Sequence, residues 1–229
     1  MSRVRIWGIA FGLTIAAVVV CYCFVDKPLA LFIHARILHF RPFFILVTFI
    51  PDPLLVIAAL IVGVVGLRRV MGRPLTRPYA VALLWSVGLF VTVALKNFFK
   101  FAFGRTWPET WINDNPSFIR DGDYGFNPFH EGKGFAAFPS GHMATICFAM
   151  TVLWICYPRL RAAYVLLIAI VAIGLMGANY HFLSDTIAGS FLGISIGCLA
   201  VALWEAGGYP RLRSNVIPAT SWTTRSFDR

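Results

Sequence analysis

A histidine and an aspartate stand four residues apart in the stretch GANYHFLSDTIAGSF, which is otherwise built of apolar or small residues. They are His181 and Asp185, and burying such groups is costly unless they are paired. On a helix, residues at this spacing share a face, so the carboxylate can hold one ring nitrogen and fix the tautomer. The other nitrogen is then available as a base or a nucleophile. The pair alone is also compatible with a histidine and an aspartate that only satisfy each other at a helix end.

A second polar block, FPSGHMA, places Ser140, Gly141 and His142 after a proline and directly before an apolar segment. This order predicts a helix start with Ser140 as its N-cap. The free N–H groups and the helix dipole at such a start attract an anion, and a glycine lets an oxyanion approach the backbone closely. His142, in the first turn, would lie within reach of that anion. An ordinary cap with an incidental histidine is the alternative.

A third block, KNFFKFAFGRTWP, supplies cations. Lys96 and Lys100 share a helix face, and Arg105 follows Gly104. Lysines near a helix end can also simply extend toward the membrane surface and complement the helix dipole. Cations, a helix N-terminus and two histidines around one point describe a phosphate site, because phosphoryl transfer depends mainly on positioning and charge neutralisation.

The composition identifies the kind of chain that must position these blocks. Hydrophobic residues make up 59% of the 229 residues and charged residues 13%, whereas a soluble domain has about 25% charged residues. We therefore expect one membrane-embedded domain over residues 1–229, with residues 206–229 as a cytoplasmic tail. The PDP sequence at 51–53 interrupts an apolar run, and we place a span after it. The predicted spans are residues 6–25, 54–67, 79–95, 143–157, 162–180 and 186–204.

The net charge of +10 does not indicate nucleic-acid binding, because its distribution follows the positive-inside rule. With the N-terminus inside and six alternating helices, only Glu205 and Asp228 oppose the arginines of the inner side. Both termini are then cytoplasmic, and the three polar blocks meet at the outer face. Residues 106–138 form a long aromatic-rich outer loop that we expect to cover the site. The inner arginines are Arg3, Arg5, Arg68, Arg69, Arg73, Arg77, Arg159, Arg161, Arg211, Arg213, Arg225 and Arg229.

The three blocks together resemble the motifs of the type 2 phosphatidic acid phosphatase superfamily. That family carries Lys, six residues, Arg-Pro; then Pro-Ser-Gly-His; then Ser-Arg, five residues, His, three residues, Asp. The second block is complete at residues 139–142, and the third keeps His181 and Asp185. The resemblance covers residues 96–191 and implies an all-α, polytopic membrane protein. Its six transmembrane helices would form a bundle, with the outer loop over the active site.

The resemblance also implies a metal-independent lipid phosphatase that needs no cofactor. By this analogy His181 attacks phosphorus and forms a phosphohistidine, Asp185 orients it, and His142 protonates the leaving oxygen. The remaining site residues would bind the phosphate. They are Lys100, Arg105, Ser140 and Gly141.

The chain departs from the family pattern at two arginines. Counting from Lys100 places Trp107 at the first arginine position, and counting back from His181 places Gly174 and Leu175 at the Ser-Arg pair. We expect Arg105 to reach the site from two residues earlier while Trp107 packs at the membrane surface, with Lys96 or Arg120 assisting. Loss of catalysis is the alternative.

Two other functions fit the same residues. A phosphotransferase could pass the phosphoryl group to a lipid or sugar instead of water, and a non-catalytic protein could only bind a phosphorylated lipid. A channel or transporter is disfavoured because no span carries a polar stripe through its middle. The substrate stays open among phosphatidic acid, phosphatidylglycerol phosphate, undecaprenyl diphosphate and the phosphates of lipid A. We expect a bacterial inner membrane, with the active site facing the periplasm.

Overall fold

The computed structural model describes residues 2–209 and Leu212, and the regular elements of this part are all helical, as predicted. The predicted tail, residues 206–229, lies almost wholly outside the described residues, as do Arg211, Arg213, Arg225, Asp228 and Arg229. The α-helices are α1 (Arg3–Val20), α2 (Asp26–Arg36), α3 (Arg41–Thr48), α4 (Pro53–Val70), α5 (Arg77–Phe103), α6 (Phe118–Asp121), α7 (Gly141–Cys156), α8 (Arg161–Gly177) and α9 (Leu183–Ala206).

Five helical stretches of the described residues are long and apolar enough to cross a membrane, with mean hydropathies of 1.9 to 2.5. The remaining predicted span, residues 143–157, corresponds to α7, which has only 16 residues. At 1.5 Å per residue such a helix is about 24 Å long, less than the roughly 30 Å of a bilayer's apolar core. The five long stretches are Val4–Arg36, Leu38–Val70, Arg77–Phe103, Pro158–Gly177 and Leu183–Ala206.

The predicted interruption at the PDP sequence is present. Helix α3 ends at Thr48, a turn follows, and α4 begins at Pro53. Proline is well suited to the first position of a helix, because the N–H that it lacks would have no acceptor within the helix. The short α3 lies against α8, where Val47 contacts Gly174 and Phe44 contacts Gly177. This pairing covers the α8 segment that leads to His181.

The first helix is longer than the sequence suggested. A π-helical turn, Cys21–Val25, joins α1 to α2 without a break. The combined stretch Val4–Arg36 has 33 residues, so it is about 50 Å long and extends beyond an apolar core of about 30 Å. The buried side chains of α2, which are Asp26, Ala30 and Ile33, face the rest of the protein at the end where α9 begins.

Helix α7 forms the centre of the bundle and is buried along most of its length. Helix α9 packs against it through Gly189, Gly193 and Gly197, one glycine per turn. A Cβ atom on Gly193 would collide with the carbonyl oxygen of Ala144, and one on Gly197 would lie 2.9 Å from Thr151 Cβ. Small residues at this spacing allow membrane helices to pack backbone to backbone. The stripe therefore brings the first turn of α9 against the first turn of α7.

We predict that Gly193→Ala destabilises the protein by about 1–3 kcal/mol, because the added methyl group must push α7 and α9 apart. Gly63→Ala in α4 is the matched control, since a Cβ atom there meets nothing within 4 Å. Thermal unfolding of the two variants in detergent measures the difference. Equal stability of both variants would show that α7 and α9 do not depend on this contact.

Candidate active site

The three polar blocks meet at one end of the bundle, where α5 finishes and α7 and α9 begin. They line a cavity of about 640 Å³. The loop over the cavity, residues 106–138, contributes to its wall through Trp107, Trp111 and Lys133. The ionisable groups of the three blocks that line it are Lys96, Lys100, His142 and His181.

His181 is buried, with 2% of its side chain exposed, and it lies just before α9 rather than on it. The expectation of one shared helix face is therefore wrong in detail. Asp185 sits in the first turn of α9, where its Oδ2 accepts a hydrogen bond from the backbone N–H of Phe182 at 3.0 Å. The same oxygen lies 3.4 Å from His181 Nδ1. The capping geometry thus turns the carboxylate back toward the histidine and leaves Nε2 as the other ring nitrogen.

Burial lowers the pKa of His181 to about 4, since a charged imidazole would lose its hydration there. Asp185 acts in the opposite direction, and the nearby Lys100 and His142 add to the lowering. His181 is therefore a neutral imidazole at neutral pH. A neutral ring nitrogen retains the lone pair that a nucleophile or base needs.

Ser140 caps α7 as predicted, with its Oγ accepting from the N–H of Met143 at 3.5 Å. The backbone N–H of Ser140 donates to the carbonyl oxygen of Asp185 at 3.0 Å, which joins the second block directly to the third. A Cβ atom at Gly141 would lie 2.9 Å from Lys96 Nζ and 3.4 Å from Lys100 Cε. Glycine at this position thus allows two cations to approach the start of the helix.

Three lysines face the cavity: Lys96 and Lys100 from α5, and Lys133 from the loop. The ammonium group of Lys100 donates to the carbonyl oxygen of Ala136 and lies 5.2 Å from the ring centre of Trp107. Within residues 2–209 none of the three lysines forms an ion pair. An anion in the cavity would therefore be the charge partner of these three side chains.

His142 has a neighbour that sequence reasoning missed. Its Nε2 lies 3.5 Å from Oδ1 of Asp52, the aspartate of the PDP interruption, and both side chains are partly exposed at the cavity. The available signal was a lone acid between two prolines at the end of an apolar run. The sequence could not show that the turn after α3 reaches the start of α7.

Arg105 does not lie where the sequence analysis expected. Its guanidinium is fully buried and contacts Asp185 at 2.5 Å and Asp26 at 2.8 Å, behind His181 rather than on the cavity wall. Gly104 ends α5 in the left-handed conformation (φ 57°), as predicted, but the turn directs the arginine into the protein. Burial would lower the pKa of Arg105, yet the two carboxylates outweigh it and raise the pKa overall.

Trp107 is also placed differently from the prediction of a membrane-surface residue. It is only 5% exposed, its ring centre lies 4.9 Å from that of His181, and its Nε1 donates to the carbonyl oxygen of Lys133 at 2.8 Å. The chain also departs from the family pattern at the Ser-Arg pair, where it has Gly174 and Leu175. Packing explains these residues, because α3 occupies the space beside Gly174 and Leu175 is fully buried. Aromatic and aliphatic side chains thus stand at both arginine positions of the resemblance.

The outer loop is fastened to the bundle beside the cavity. Glu109 accepts from Asn179 at 3.3 Å and lies 2.5 Å from His34 Nδ1, which ties the loop to α2. Asn179, which lies two residues before His181, also donates to the carbonyl oxygen of Ala30 at 3.1 Å. Arg120, which we expected to assist at the site, is instead bound to Asp114 and Asp121 on the exposed side of the loop.

This arrangement defines a class: a helical membrane protein with a cavity lined by lysines and histidines at one end of the bundle. The chain belongs to the PAP2 superfamily, whose family model matches residues 79–208. The resemblance seen in the sequence motifs is therefore confirmed.

Two curated relatives are similar to part of this chain. A lipid A 1-phosphatase of Rhizobium etli is 31% identical over 109 residues, which are 46% of this chain and 44% of the relative. A lipid A 1-phosphatase of Rhizobium johnstonii is 29% identical over 124 residues, which are 52% of this chain and 48% of the relative. The chain spans about half the length of these relatives. No solved structure matches it.

We predict that His181 does not titrate between about pH 8 and pH 5 in the folded, ligand-free protein, because its pKa lies at about 4. Nitrogen NMR of histidine-labelled protein measures this, and His181→Gln assigns the resonance. The unfolded chain, with a pKa near 6.5, binds the proton more readily in this window. The contribution of His181 to stability therefore falls as the pH drops from about 6.5 toward 4. A titration midpoint above pH 6 would contradict the prediction.

Proposed function

We propose that this protein hydrolyses a phosphate monoester or diphosphate of a membrane lipid through a phosphohistidine intermediate. The observation that carries the proposal is the position of His181. It lines the cavity, its Nδ1 faces Asp185, and lysines and the start of α7 surround the same space. Membership of the PAP2 superfamily supports a phosphatase.

In the first step, the lone pair of His181 Nε2 forms the bond to phosphorus and the bond from phosphorus to the lipid oxygen breaks. The ring becomes positively charged, and Asp185 beside Nδ1 compensates that charge. The leaving oxygen takes a proton from protonated His142, which lines the same cavity. General acid catalysis of this kind typically contributes about 10²–10⁴-fold to the rate.

In the second step, a water molecule attacks the phosphoryl group and the nitrogen–phosphorus bond breaks. His142, now neutral, takes the proton from that water, so both histidines return to their starting states. Phosphate leaves as the product. Lys96, Lys100 and the N–H groups at the start of α7 neutralise the charge of the phosphoryl oxygens in both steps.

The proposal places the cavity at the periplasmic face of a bacterial inner membrane. The arginines around the connection between α4 and α5 support this orientation. Arg77 begins α5 at the opposite end of the bundle, where it donates to the carbonyl oxygen of Cys156 at 2.6 Å. Arg68 and Arg69 lie in the last turn of α4, and Arg73 lies in the connection itself. The positive-inside rule assigns that end to the cytoplasm.

A lipid whose phosphate is attached to a sugar, such as lipid A 1-phosphate, is the substrate we propose to test first. The two curated relatives carry that activity in their names. Within the cavity, Trp107, Trp111 and Tyr180 form an aromatic wall, with ring centres 5.0 Å apart for the two tryptophans and 4.9 Å for Trp111 and Tyr180. The two indole planes meet at 85°, and Trp111, which is 38% exposed, offers an aromatic face that suits the apolar face of a sugar ring.

The direct test is phosphate release by the purified protein from lipid A, phosphatidic acid, phosphatidylglycerol phosphate and undecaprenyl diphosphate. We expect His181→Ala to abolish turnover and His142→Ala to reduce it by about 10²–10⁴-fold. Asp185→Asn should reduce it less than His181→Ala, since the nucleophile remains. His39→Ala, an exposed histidine outside the cavity, is the matched control and should keep full activity.

Two results would reject the proposal. One is near-native phosphate release by folded His181→Ala protein. The other is loss of activity in a chelator with recovery on adding a divalent ion, which would contradict the metal-independent mechanism. Binding of the lipids without release by the wild-type protein would indicate a non-catalytic lipid-phosphate receptor, and transfer to a second lipid or sugar would indicate a phosphotransferase.

A separate prediction concerns the aromatic wall. Trp111→Ala should raise KM for lipid A more than KM for phosphatidic acid, because only the former presents a sugar ring to the wall. Trp154→Ala is the control, as Trp154 is similarly exposed (37% against 38%) but lies on α7 outside the cavity. Steady-state kinetics on both lipids gives the comparison. An equal rise in KM for both lipids would show that the aromatic wall does not contribute to substrate selection.

A further inference from the structure

A buried group of charged side chains lies behind His181, on the side away from the cavity. We call Asp26, Arg105, Ser184 and Asp185 the Arg105 cluster; it joins α2, the start of the loop and α9. Arg105 Nη1 donates to Asp185 Oδ1 and to Ser184 Oγ, both at 2.5 Å. Its Nη2 donates to Asp26 Oδ2 at 2.8 Å. Asp26 Oδ1 accepts from the backbone N–H of Ser184 at 3.0 Å, and its Oδ2 from the Ser184 hydroxyl.

The surroundings of the cluster exclude water. Arg105, Asp26 and Asp185 each have 0% of the side chain exposed. Four aromatic rings enclose the guanidinium, at 4.4 to 5.3 Å from its carbon; they belong to Tyr22, Tyr124, Phe126 and Phe182. Hydrogen bonds and charge pairs are stronger in such a medium than in water, so the orientation of each group is firmly set.

The charges of the cluster complement the proposed reaction. One guanidinium and two carboxylates give the cluster a net charge of −1. The cluster meets the neutral ring of His181 through Asp185 Oδ2. When Nε2 bonds to phosphorus, the ring becomes a cation and the whole group becomes neutral. Without Arg105, two carboxylates would share one buried site, and such a pair holds a proton because both cannot ionise. A protonated Asp185 could no longer compensate the ring.

We propose that Arg105 and Asp26 are positioning residues that hold Asp185 ionised and correctly oriented toward His181. This inference rests on the proposed phosphohistidine mechanism. Neither residue lines the cavity. Arg105 binds the carboxylate of Asp185 directly, and Asp26 acts on it through Arg105 and Ser184. Asp26 brings α2 into the site, although it lies outside all three sequence motifs and outside the residues that match the family model.

A purely structural role for the cluster makes a different prediction from a positioning role. If the cluster only stabilised the fold, variants would lose thermal stability while the folded fraction kept its kcat. If it positions Asp185, kcat falls and KM stays unchanged, since no member contacts the substrate. A misplacement of about 1 Å remote from the reacting atoms can reduce the rate about 100-fold.

The experiment compares Asp26→Asn, Arg105→Gln and the double variant by kcat, KM and thermal unfolding. We expect each single variant to lower kcat by about 100-fold. The double variant should be more stable than Arg105→Gln, because it no longer buries an unpaired Asp26. Its kcat should nevertheless stay well below that of the wild type, because Asp185 has lost the guanidinium that orients its carboxylate toward His181. A double variant that regains both stability and kcat would overturn the proposal.

Two control arginines share features with Arg105. Arg120 also bridges two aspartates but lies exposed on the loop, so Arg120→Gln tests the loss of an arginine–carboxylate pair in itself. Arg77 is a structural arginine at the opposite end of the bundle, where it binds the carbonyl oxygens of Cys156 and Leu212 at 2.6 Å. Arg77→Gln should lower thermal stability and leave kcat of the folded protein unchanged.

A milder variant keeps the test decisive if the charge variants fail to fold. Ser184→Ala removes the hydroxyl between Arg105 and Asp26 while both ion pairs remain, and we expect kcat to fall by about 10-fold. An unchanged kcat in folded Ser184→Ala protein would contradict the proposal. Failure of the proposed function gives a different result, namely turnover by His181→Ala or no turnover by the wild type.

Discussion

The close contact between α7 and α9 is the constraint on which the site depends. A glycine at each turn of α9 lets its backbone lie against that of α7, and the N–H of Ser140 then reaches the carbonyl oxygen of Asp185 at 3.0 Å. This contact fixes the distance between the start of α7 and His181, which directly precedes α9. No side chain has to bridge them, so neither group is left to rotamer freedom. In a membrane, where lipid competes for apolar surface, such backbone packing is a principal source of association.

The charges around His181 are segregated. Three lysines face the cavity, while the two carboxylates of the Arg105 cluster lie behind the ring. Trp107 packs beside both the lysines and the imidazole, with its ring 5.2 Å from Lys100 Nζ and 4.9 Å from the His181 ring. The imidazole therefore lies between a positive space that attracts an anion and a negative group that stabilises a cation. Such a field is set before the substrate arrives and need not reorganise during the reaction.

The sequence predicted the helical fold, the cap at Ser140 and the gathering of three blocks at one end, because each rests on local chemistry and helix alternation. It did not predict which way a side chain turns after a helix ends. Gly104 was correctly expected to end α5, yet the direction of Arg105 depends on two aspartates supplied by α2 and α9. Asp26 and Asp52 were missed for the same reason. Each is a single acid next to an apolar run, and only tertiary packing gives it a partner.

The two missing arginines follow from the packing of this particular bundle. Helix α3 packs against Gly174, Leu175 is fully buried, and the ring of Trp107 lies beside His181, so apolar packing occupies both positions. Lysines from α5 and the loop supply the charge instead. An ammonium group neutralises a phosphate as a point charge, whereas a guanidinium also fixes its orientation through a planar pair of bonds. An anion held by lysines alone is thus less strictly oriented, and the aromatic side chains of Trp107, Trp111 and Tyr180 are the other surface of the cavity that can contact the molecule carrying it.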